Sequence, residues 1–338
     1  MSRYLLRRCG QALLVVLGVV VLTFIVVRLL PGDPAIAYAG PRATAEELAQ
    51  ARIALGLDRP VPVQLWIYLT GILQGDLGTS IFTKQPVISD LTKAFPASLE
   101  LVAASLIIAV PIGMAIGMLA ARRKGGAGDI SARFVTMLAV SFPSFWLALI
   151  LQSVLATRLG WFPVAGEYDS ALDTSSPLSQ WTYITVVDAL ITGNWPVFLS
   201  TLHHLVLPAI VLAMYPIGVI AQLTRAGLVE ELTAEHVRNA LSLGFSRGQV
   251  IRRFALRPVA SPVVTLIALV FAYSLVNAVI VESIFNWPGL GRYATSALRS
   301  LDTPAIAGVT LLVAIVYVVL NLIVDLIQTW IDPRVRLR

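Results

Sequence analysis

The chain has 338 residues, of which 57% are hydrophobic and only 13% are charged, and its formal net charge is +6. A mean hydropathy of +0.81 is too high for an ordinary water-soluble domain, so the composition indicates a protein of the lipid bilayer. The single cysteine, Cys9, excludes an intrachain disulfide and a cysteine-based metal site.

Six apolar runs are long enough to cross about 30 Å of hydrocarbon, which takes about 20 residues of helix. They cover approximately residues 9–30, 99–121, 135–156, 202–223, 263–281 and 305–327. The first run follows a basic N-terminus but is longer than the roughly 7 to 15 residues of a signal-peptide core, so we expect an uncleaved span. The pattern predicts an all-α membrane protein with six transmembrane helices.

The basic residues predict the orientation, because Lys and Arg accumulate on the cytoplasmic side of a membrane protein. A cytoplasmic N-terminus places both termini and 16 of the 25 basic residues on that side. These residues are Arg3, Arg7, Arg8, Arg122, Arg123, Lys124, Arg133, Arg225, Arg238, Arg247, Arg252, Arg253, Arg257, Arg334, Arg336 and Arg338. The net positive charge is thus explained by topology and requires no nucleic acid partner.

Two longer segments fall on the opposite side of the membrane. In the first, residues 31–95, Thr44 and Glu47 form a capping box for a short helix ending near Gly56, and a second helix is expected over residues 62–73. In the second, residues 157–201, the semi-apolar stretch 181–199 is interrupted at Asp188, Gly193 and Pro196, which favours an interfacial or re-entrant element over a span. The role of residues 166–201 stays open.

Several predicted spans contain helix breakers or polar side chains. Prolines at 111, 143, 208 and 216 each remove a helical hydrogen bond, and Gly113 with Gly117 forms a small-xxx-small face for packing. These prolines and glycines are consistent with kinks that only serve helix packing, or with helices that line a transport path and tilt during gating. The intramembrane polar residues are Gln152, Asn277, Asn321 and Asp325. The simpler explanation of Asp325 is an ion pair with a nearby arginine, and the alternative is a role in a proton relay.

A basic helix-turn-helix pattern lies between two apolar runs, at residues 233–262. Thr233 is expected to cap a first helix, Gly244 to end it in a left-handed conformation, and Ser246 with Gln249 to form a capping box for a second helix. The pattern predicts a cytoplasmic helical hairpin that a soluble partner can grip.

Motifs of enzyme chemistry are scarce in the sequence. The three histidines, His203, His204 and His236, form no HExxH motif, and the first two are expected at the outer membrane interface. Residues 244–248 match G-x-S-x-G, but a nucleophile elbow requires a preceding strand, so Ser246 is interpreted as a helix cap. We therefore expect a chain that is not itself an enzyme and that holds no metal or cofactor.

The energy source must also come from elsewhere. The three lysines, at 84, 93 and 124, follow Thr, Thr and Arg, so the chain lacks the Gly-Lys pair of a Walker A motif. Coupling to protons or sodium usually requires carboxylates at mid-membrane, and none is predicted there. A separate ATPase subunit is therefore the favoured source of energy.

The sequence resembles the permeases of ABC importers, in particular the B-type permeases of dipeptide and oligopeptide systems. The spacing from Ala240 to Gly244 followed by Phe254-x-Leu256 resembles their EAA loop. The other matching strings are LRR at 6–8, RLLPGDPA at 28–35, LGLDRP at 55–60, GDLGTS at 75–80, FPASLEL at 95–101, SFPSFWLAL at 141–149, LGWFP at 159–163, LPA at 207–209, VESIFNWPGLGR at 281–292 and NLIVDLIQTWIDPRVR at 321–336.

This resemblance implies a type I importer transmembrane-domain fold. It implies an N-terminal span with an extracytoplasmic subdomain over residues 1–94, and a core permease domain over residues 95–338 with a cytoplasmic coupling (EAA) loop at about 225–262. In such permeases the EAA helix sits in a cleft of the ATPase. The residues that carry over are Glu235, Val237, Arg238, Ala240, Leu241, Gly244 and Phe245. The chain departs from the general motif where Arg238 and Asn239 replace Glu-Ala and where Arg257 replaces a proline.

The resemblance also implies partners and a location in the bacterial cytoplasmic (inner) membrane. The partners are a second permease subunit, one or two cytoplasmic ABC ATPases or a fused ATPase that bind ATP and Mg, and an extracytoplasmic substrate-binding (lipo)protein. The family favours a heterodimer of permeases, and the sequence permits a homodimer. Polar residues on kinked or central spans could line the path or bond between helices: Ser141, Ser144, Tyr215, Gln222 and Asn277.

The favoured hypothesis is half of the translocation path of an ATP-driven, binding-protein-dependent importer of di- or oligopeptides. A second hypothesis keeps the machine but changes the cargo to a nickel chelate, haem, glutathione or a sugar. A third, an ion-gradient-driven transporter, requires midplane carboxylates or a selectivity loop. The last hypothesis is a membrane-embedded hydrolase, for which Ser246 would be the only evidence.

Overall fold

The computed structural model describes residues 2–29, 33–40, 42–122 and 124–331. Some sequence predictions lie outside these residues or concern side chains that are not described: those for Arg3, Arg7, Arg123, Arg247, Asp325, Arg334, Arg336 and Arg338. Within the described part of the chain the fold is all-α, and the β pairing is limited to an isolated antiparallel bridge between Thr79 and Pro86.

The helices follow one another with short connections. In the N-terminal part they are α1 (Ser2–Leu29), α2 (Pro34–Ala39), α3 (Ala45–Ala54), α4 (Val61–Leu73) and α5 (Val87–Arg122). The central part contains α6 (Ala127–Ser141), α7 (Ser144–Leu151) with a π-helical extension (Gln152–Arg158), α8 (Leu172–Ser175), α9 (Thr185–Ile191) and α10 (Trp195–Glu231). The last part contains α11 (Glu235–Ser242), α12 (Arg247–Val250), a π-helical stretch (Ile251–Ala255), α13 (Leu256–Phe285), α14 (Leu290–Arg299) and α15 (Thr303–Ile331).

Four helical segments among the described residues are long and apolar enough to cross a membrane, and a bent pair raises the number to five. The four are Val87–Arg122, Trp195–Glu231, Gly248–Phe285 and Thr303–Ile323. The first three each cover a predicted span, and the fourth covers residues 305–323 of the last one. Helix α1 contains a shorter apolar stretch, Leu13–Val26. The multi-span helical architecture is therefore confirmed.

The bent pair is α6 and α7, and it corrects the prediction of one continuous helix over residues 135–156. The two helices meet at Phe142 and Pro143 with a bend of 96°. Phe142 has φ −72° and ψ 128°, the extended conformation that a following proline ring imposes on its neighbour. Pro143 therefore breaks the span, where a milder kink was expected.

The two predicted helices of the first outside segment are confirmed. Glu47 N donates to Thr44 Oγ1 over 3.3 Å, and Thr44 N donates to Glu47 Oε2 over 2.6 Å, so the capping box opens α3 as expected. In the second segment, α9 contains Asp188, so the prediction of a break there is wrong. The predicted break at Gly193 is confirmed, whereas Pro196 lies in the first turn of α10, which begins at Trp195.

The chain divides into two compact units. One comprises Met1–Ser98, Trp181–Tyr183 and Pro288–Leu322. Its core joins Val87 and Leu91 of α5 to Leu290 of α14 and Val309 of α15. The buried Asp302 carboxylate accepts hydrogen bonds from Ser80 Oγ (2.5 Å) and from the backbone N–H of residues 82 (3.0 Å) and 305 (3.1 Å), which ties the loop before α5 to the start of α15.

The other unit comprises Leu99–Gln180, Ile184–Trp287 and Ile323–Arg338, and it contains the predicted coupling loop. Within it α5 packs closely on α10. A Cβ atom on Gly117 would lie 2.7 Å from Ala221 O and 2.7 Å from Thr224 Cβ, and one on Gly113 would lie 3.0 Å from Ile217 O. The predicted small-xxx-small face is thus a close helix contact. The predicted domain boundary between residues 94 and 95 stays a prediction.

A buried carboxylate in the second unit was missed by the sequence analysis. Glu100, on α5, accepts hydrogen bonds from the backbone N–H groups of Val186 (2.8 Å) and Thr185 (3.2 Å). These N–H groups belong to the first turn of α9 and therefore have no carbonyl acceptor within the helix. The helix dipole favours a carboxylate at this end. The Glu100 side chain therefore caps the N-terminus of α9, although Glu100 is distant from α9 in the sequence.

Candidate coupling site

The predicted hairpin begins one residue later than expected. Helix α10 runs on to Glu231, and α11 starts at Glu235 after Ala234. The prediction that Thr233 caps this helix is wrong, because its hydroxyl donates to Glu230 O over 2.7 Å and thus belongs to the end of α10. The turn between the two helices is therefore only three residues long.

Gly244 ends α11, as predicted. Its φ is +86°, in the left-handed region that favours glycine. Gly244 N donates to Leu241 O over 3.0 Å and Phe245 N donates to Ala240 O over 3.3 Å. This pair of bonds is a Schellman motif, which satisfies two carbonyls at the end of the helix and reverses the chain direction.

The predicted capping box at the start of the next helix is confirmed. Ser246 N donates to Gln249 Oε1 over 2.9 Å, and Gln249 N donates to Ser246 Oγ over 3.4 Å. The helix continues through α12 and the π-helical stretch into α13. The hairpin is therefore continuous with the span α13 at one end, and a three-residue turn joins it to the span α10 at the other.

The two faces of α11 differ in chemistry. Val237 is fully buried and Ala240 is 3% exposed, and both belong to a core that includes Leu228, Val250 and Val259. Phe245 is half-buried, and its ring lies edge-on to Phe254 at 5.3 Å between centroids. These apolar residues attach the hairpin to the spans.

The opposite face of the hairpin is open to solvent. Glu235, Arg238 and Gly244 are exposed, and Leu241 is 39% exposed. Leu243, which the sequence analysis did not single out, is 78% exposed at the tip of the turn. The sequence could have indicated Leu243 by its position directly before Gly244, the glycine that ends the helix. The seven carried-over residues thus divide into an anchoring set and an exposed set.

A buried ion pair holds α10 near the hairpin. Arg225 Nη2 donates to Asp129 Oδ2 over 2.8 Å, and Arg225 Nε also donates to this carboxylate, whose side chain is only 2% exposed. Gly125 N donates a further bond to Asp129 Oδ2 over 2.9 Å. The fork geometry of the guanidinium fits both carboxylate oxygens, and the pair joins the start of α6 to α10.

We expect Arg225→Ala to lower the stability of the protein, because the Asp129 carboxylate then loses its charged partner and both charge-assisted hydrogen bonds. The measurement is the midpoint of thermal unfolding of the purified protein. The control is Arg133→Ala, which removes an exposed arginine from the same helix as Asp129. Adding Asp129→Asn to Arg225→Ala should recover much of the loss. An equal effect of the two single variants would contradict the argument.

The predicted path residues are placed on the spans of the second unit, and the structure brings two of them into one group. The rings of Tyr215 and Tyr273 lie 4.6 Å apart between centroids, and Asn277 Nδ2 donates to Tyr273 O over 3.0 Å. Gln222 is exposed, and Ser141 and Ser144 flank the bend between α6 and α7. The described contacts do not join these last three residues to the tyrosine group.

Two other intramembrane amides donate to backbone carbonyls. Gln152 Nε2 donates to the carbonyls of Val164 (2.9 Å) and Ile284 (3.1 Å), and Asn321 Nδ2 donates to Tyr317 O (2.8 Å). Bonds of this kind satisfy a polar side chain inside the membrane and need no ligand.

These features define a class of protein: a multi-span helical membrane protein whose spans are joined by a helical hairpin with an exposed, partly charged face. Two family models match the chain. "Binding-protein-dependent transport system inner membrane component" matches residues 113–337, and the corresponding N-terminal model matches residues 1–102.

Known relatives match along almost the whole chain. A "Probable D,D-dipeptide transport system permease protein DdpB" of Escherichia coli is 38% identical over 97% of this chain and 96% of the relative. A "Dipeptide transport system permease protein DppB" of Alkalihalophilus pseudofirmus is 35% identical over 99% and 100%, and a "Di/tripeptide transport system permease protein DppB" of Pseudomonas aeruginosa is 36% identical over 99% of each. The chain belongs to the family of inner membrane components of binding-protein-dependent transport systems.

Proposed function

We propose that this chain is the permease subunit of an ATP-driven importer of di- or oligopeptides and that it forms half of the translocation path. The observation that carries the proposal is the helical hairpin, which has an exposed face and lies between two spans of a binding-protein-dependent transport permease. The peptide cargo is supported by the relatives, whose names state dipeptide or tripeptide transport. A nickel chelate, haem, glutathione or a sugar is the alternative cargo for the same machine.

The proposed topology has six spans in a type I importer fold, with α1 as the first span, both termini in the cytoplasm and the subdomain of α2 to α4 outside. The support is the apolar composition of α1 and the distribution of Lys and Arg. This topology places the hairpin in the cytoplasm, where an ATPase is found.

The proposed coupling face consists of Glu235, Arg238, Leu241, Leu243 and the Gly244 turn. Val237, Ala240 and Phe245 contribute by anchoring the hairpin, because their side chains pack within the unit. Closure of two ATP-bound ATPase subunits would move the hairpins and open the path outward, and hydrolysis would reset it. The ATPase must bind the hairpin with different affinity in the two states, since only differential affinity shifts a conformational equilibrium.

The proposed complex contains this chain, a second permease subunit, one or two ABC ATPases or a fused ATPase, and an extracytoplasmic substrate-binding (lipo)protein. ATP and Mg are bound by the ATPase, since the sequence lacks the Gly-Lys pair of a Walker A motif. The path would be lined by polar groups on the spans, with Tyr215 and Asn277 beside Tyr273 as the first candidates and Ser141, Ser144 and Gln222 as further ones.

The test is a mild purification of the tagged chain from its native membrane, followed by mass spectrometry of the proteins that accompany it. Recovery of a P-loop ATPase, a second permease and a binding protein supports the importer, and the ligand of the binding protein names the cargo. Recovery of the chain alone or as a homo-oligomer, under several detergents, would overturn the proposed assembly and favour a gradient-driven transporter.

Ser246→Ala should leave transport largely intact. The capping box loses one bond, which costs about 0.5–2 kcal/mol of local helix stability, but no chemistry is lost. The measurement is uptake of a labelled dipeptide into cells that depend on this permease, with Gln249→Ala as the matched control, because it removes the reciprocal bond of the same box. Loss of uptake in Ser246→Ala alone would point to a nucleophilic serine and against the cap.

A further inference from the structure

Helix α4 has an unusual composition for a segment outside the predicted spans. Its thirteen residues, Val61–Leu73, carry no charged side chain, and none of them is buried. Trp66 is 67% exposed, and Val63, Ile67 and Leu73 are exposed on the same helix. We refer to these four residues as the α4 apolar face. An apolar helix of about 20 Å, at 1.5 Å per residue, is too short to cross about 30 Å of hydrocarbon.

The neighbouring helix α3 shows that the apolar composition is specific to α4. Helix α3 belongs to the same unit and carries Glu46, Glu47 and Arg52 over ten residues. A capping box and an ion pair between Arg52 and Asp33 at 2.8 Å give α3 a polar, solvated surface. The two helices therefore meet different surroundings.

Gln64 and Thr70 of α4 are bonded within the chain, whereas the buried Tyr68 hydroxyl has no hydrogen-bond partner among the described residues. Gln64 donates to the carbonyl of Arg59 and accepts from the Arg28 guanidinium, and Thr70 Oγ1 donates to the carbonyls of Trp66 and Ile67, both at 3.0 Å. Such internal satisfaction is what a helix surface needs when no water is available to bond its polar groups.

Two contacts connect α4 to predicted spans of the same unit. In the middle of α4, Tyr68 stacks on Phe24 of α1 with 5.9 Å between ring centroids, and the Arg28 guanidinium lies 4.4 Å from the centre of the Phe24 ring. At its end, the chain reaches Gly78 within five residues, where a Cβ atom would lie 3.4 Å from Pro304 at the start of the span α15. Helix α4 thus packs on α1, on which Leu22 and Ile25 are exposed, and five residues connect it to a loop that contacts the start of α15.

We propose that the α4 apolar face binds lipid, with α4 lying along the boundary between headgroups and acyl chains in the leaflet where α15 begins. Short apolar helices lie in this plane when they cannot span, and Trp favours it because its ring is apolar and its N–H group reaches the headgroups. Arg28 lies where its charge reaches the headgroups while its stem stays on the apolar helix. In this position α4 sets the depth of the first unit in the membrane.

The test uses single cysteines in a Cys9→Ser background, with the permease and its copurified partners in lipid nanodiscs. Trp66→Cys reports on the α4 apolar face, and Ile53→Cys is the matched control, because Ile53 is an apolar residue of α3 with 65% exposure. A charged maleimide should label Trp66→Cys about tenfold more slowly than Ile53→Cys, because the reactive thiolate is disfavoured at an apolar boundary. Ile67→Cys gives the same measurement if Trp66→Cys does not assemble.

A second readout distinguishes lipid from protein as the occupant. An environment-sensitive fluorophore on residue 66 should be quenched by phospholipids with a shallow doxyl group and resist aqueous iodide, whereas one on residue 53 should show the reverse. Equal labelling of the two cysteines would overturn the proposal. Protection of residue 66 without quenching by doxyl lipids would also overturn it, since the face would then be covered by a partner protein. Neither outcome bears on peptide import.

Discussion

Gly244→Pro abolishes ATP-driven uptake while the chain remains inserted in the membrane, if the hairpin couples the ATPase to the spans. Proline holds φ near −65°, whereas Gly244 has φ +86°. The substitution also removes the N–H group that donates to Leu241 O, so the Schellman turn cannot form. The exposed Leu243 and the end of α11 would then leave their positions on the coupling face.

The control for this prediction is a graded series at the same residue. Asparagine tolerates the left-handed conformation and keeps the N–H group, so Gly244→Asn should retain most of the uptake. Alanine keeps the N–H group but pays roughly 1–2 kcal/mol for the left-handed conformation, so Gly244→Ala should lie between the other two. Uptake of a labelled dipeptide and copurification of the ATPase are measured on membranes with equal amounts of each variant. Normal uptake by Gly244→Pro would refute the coupling role.

The elements that the sequence predicted well are those whose causes lie within a few residues. The capping boxes at Thr44 and Ser246 and the left-handed Gly244 all depend on groups three to five residues away, and all three are present. The wrong prediction for Thr233 also has a local cause. The Thr233 hydroxyl donates to the carbonyl of Glu230, three residues earlier, and does not cap α11. Local chemistry thus predicts where the hairpin turns and misplaces the first residue of α11 by one position.

The elements that the sequence could not predict depend on distant partners. Asp129 and Arg225 are 96 residues apart, and Glu100 reaches α9 across 85 and 86 residues, so neither pair leaves a periodic signal. The division of the coupling residues into anchored and exposed sets also required the fold, because the core that buries Val237 is built from Leu228 and Val259 of the two adjoining spans. Hydropathy likewise predicts a membrane run over 135–156 but not its 96° bend.

The contact between α5 and α10 offers a direct test of the packing in the second unit. At Gly117 the space for a side chain is already occupied by Ala221 O and Thr224 Cβ, both 2.7 Å from the position of a Cβ atom. A backbone carbonyl in a helix cannot move aside as a flexible side chain can. Close backbone approach through small residues is how membrane helices gain packing energy in the absence of a hydrophobic driving force.

Gly117→Ala should therefore destabilise the protein by about 1–3 kcal/mol, and Gly117→Leu should prevent assembly of the second unit. The measurement is the midpoint of thermal unfolding in detergent, together with uptake. Gly18→Ala is the matched control, because Gly18 lies within α1 and a Cβ atom there meets no described atom within 4 Å. Glycine is also the poorer helix former, so that control should be neutral or slightly stabilising. Equal stability of the two alanine variants would contradict this prediction. It would mean that α5 and α10 have room to separate and that the close contact at Gly117 does not contribute to the stability of this pair of spans.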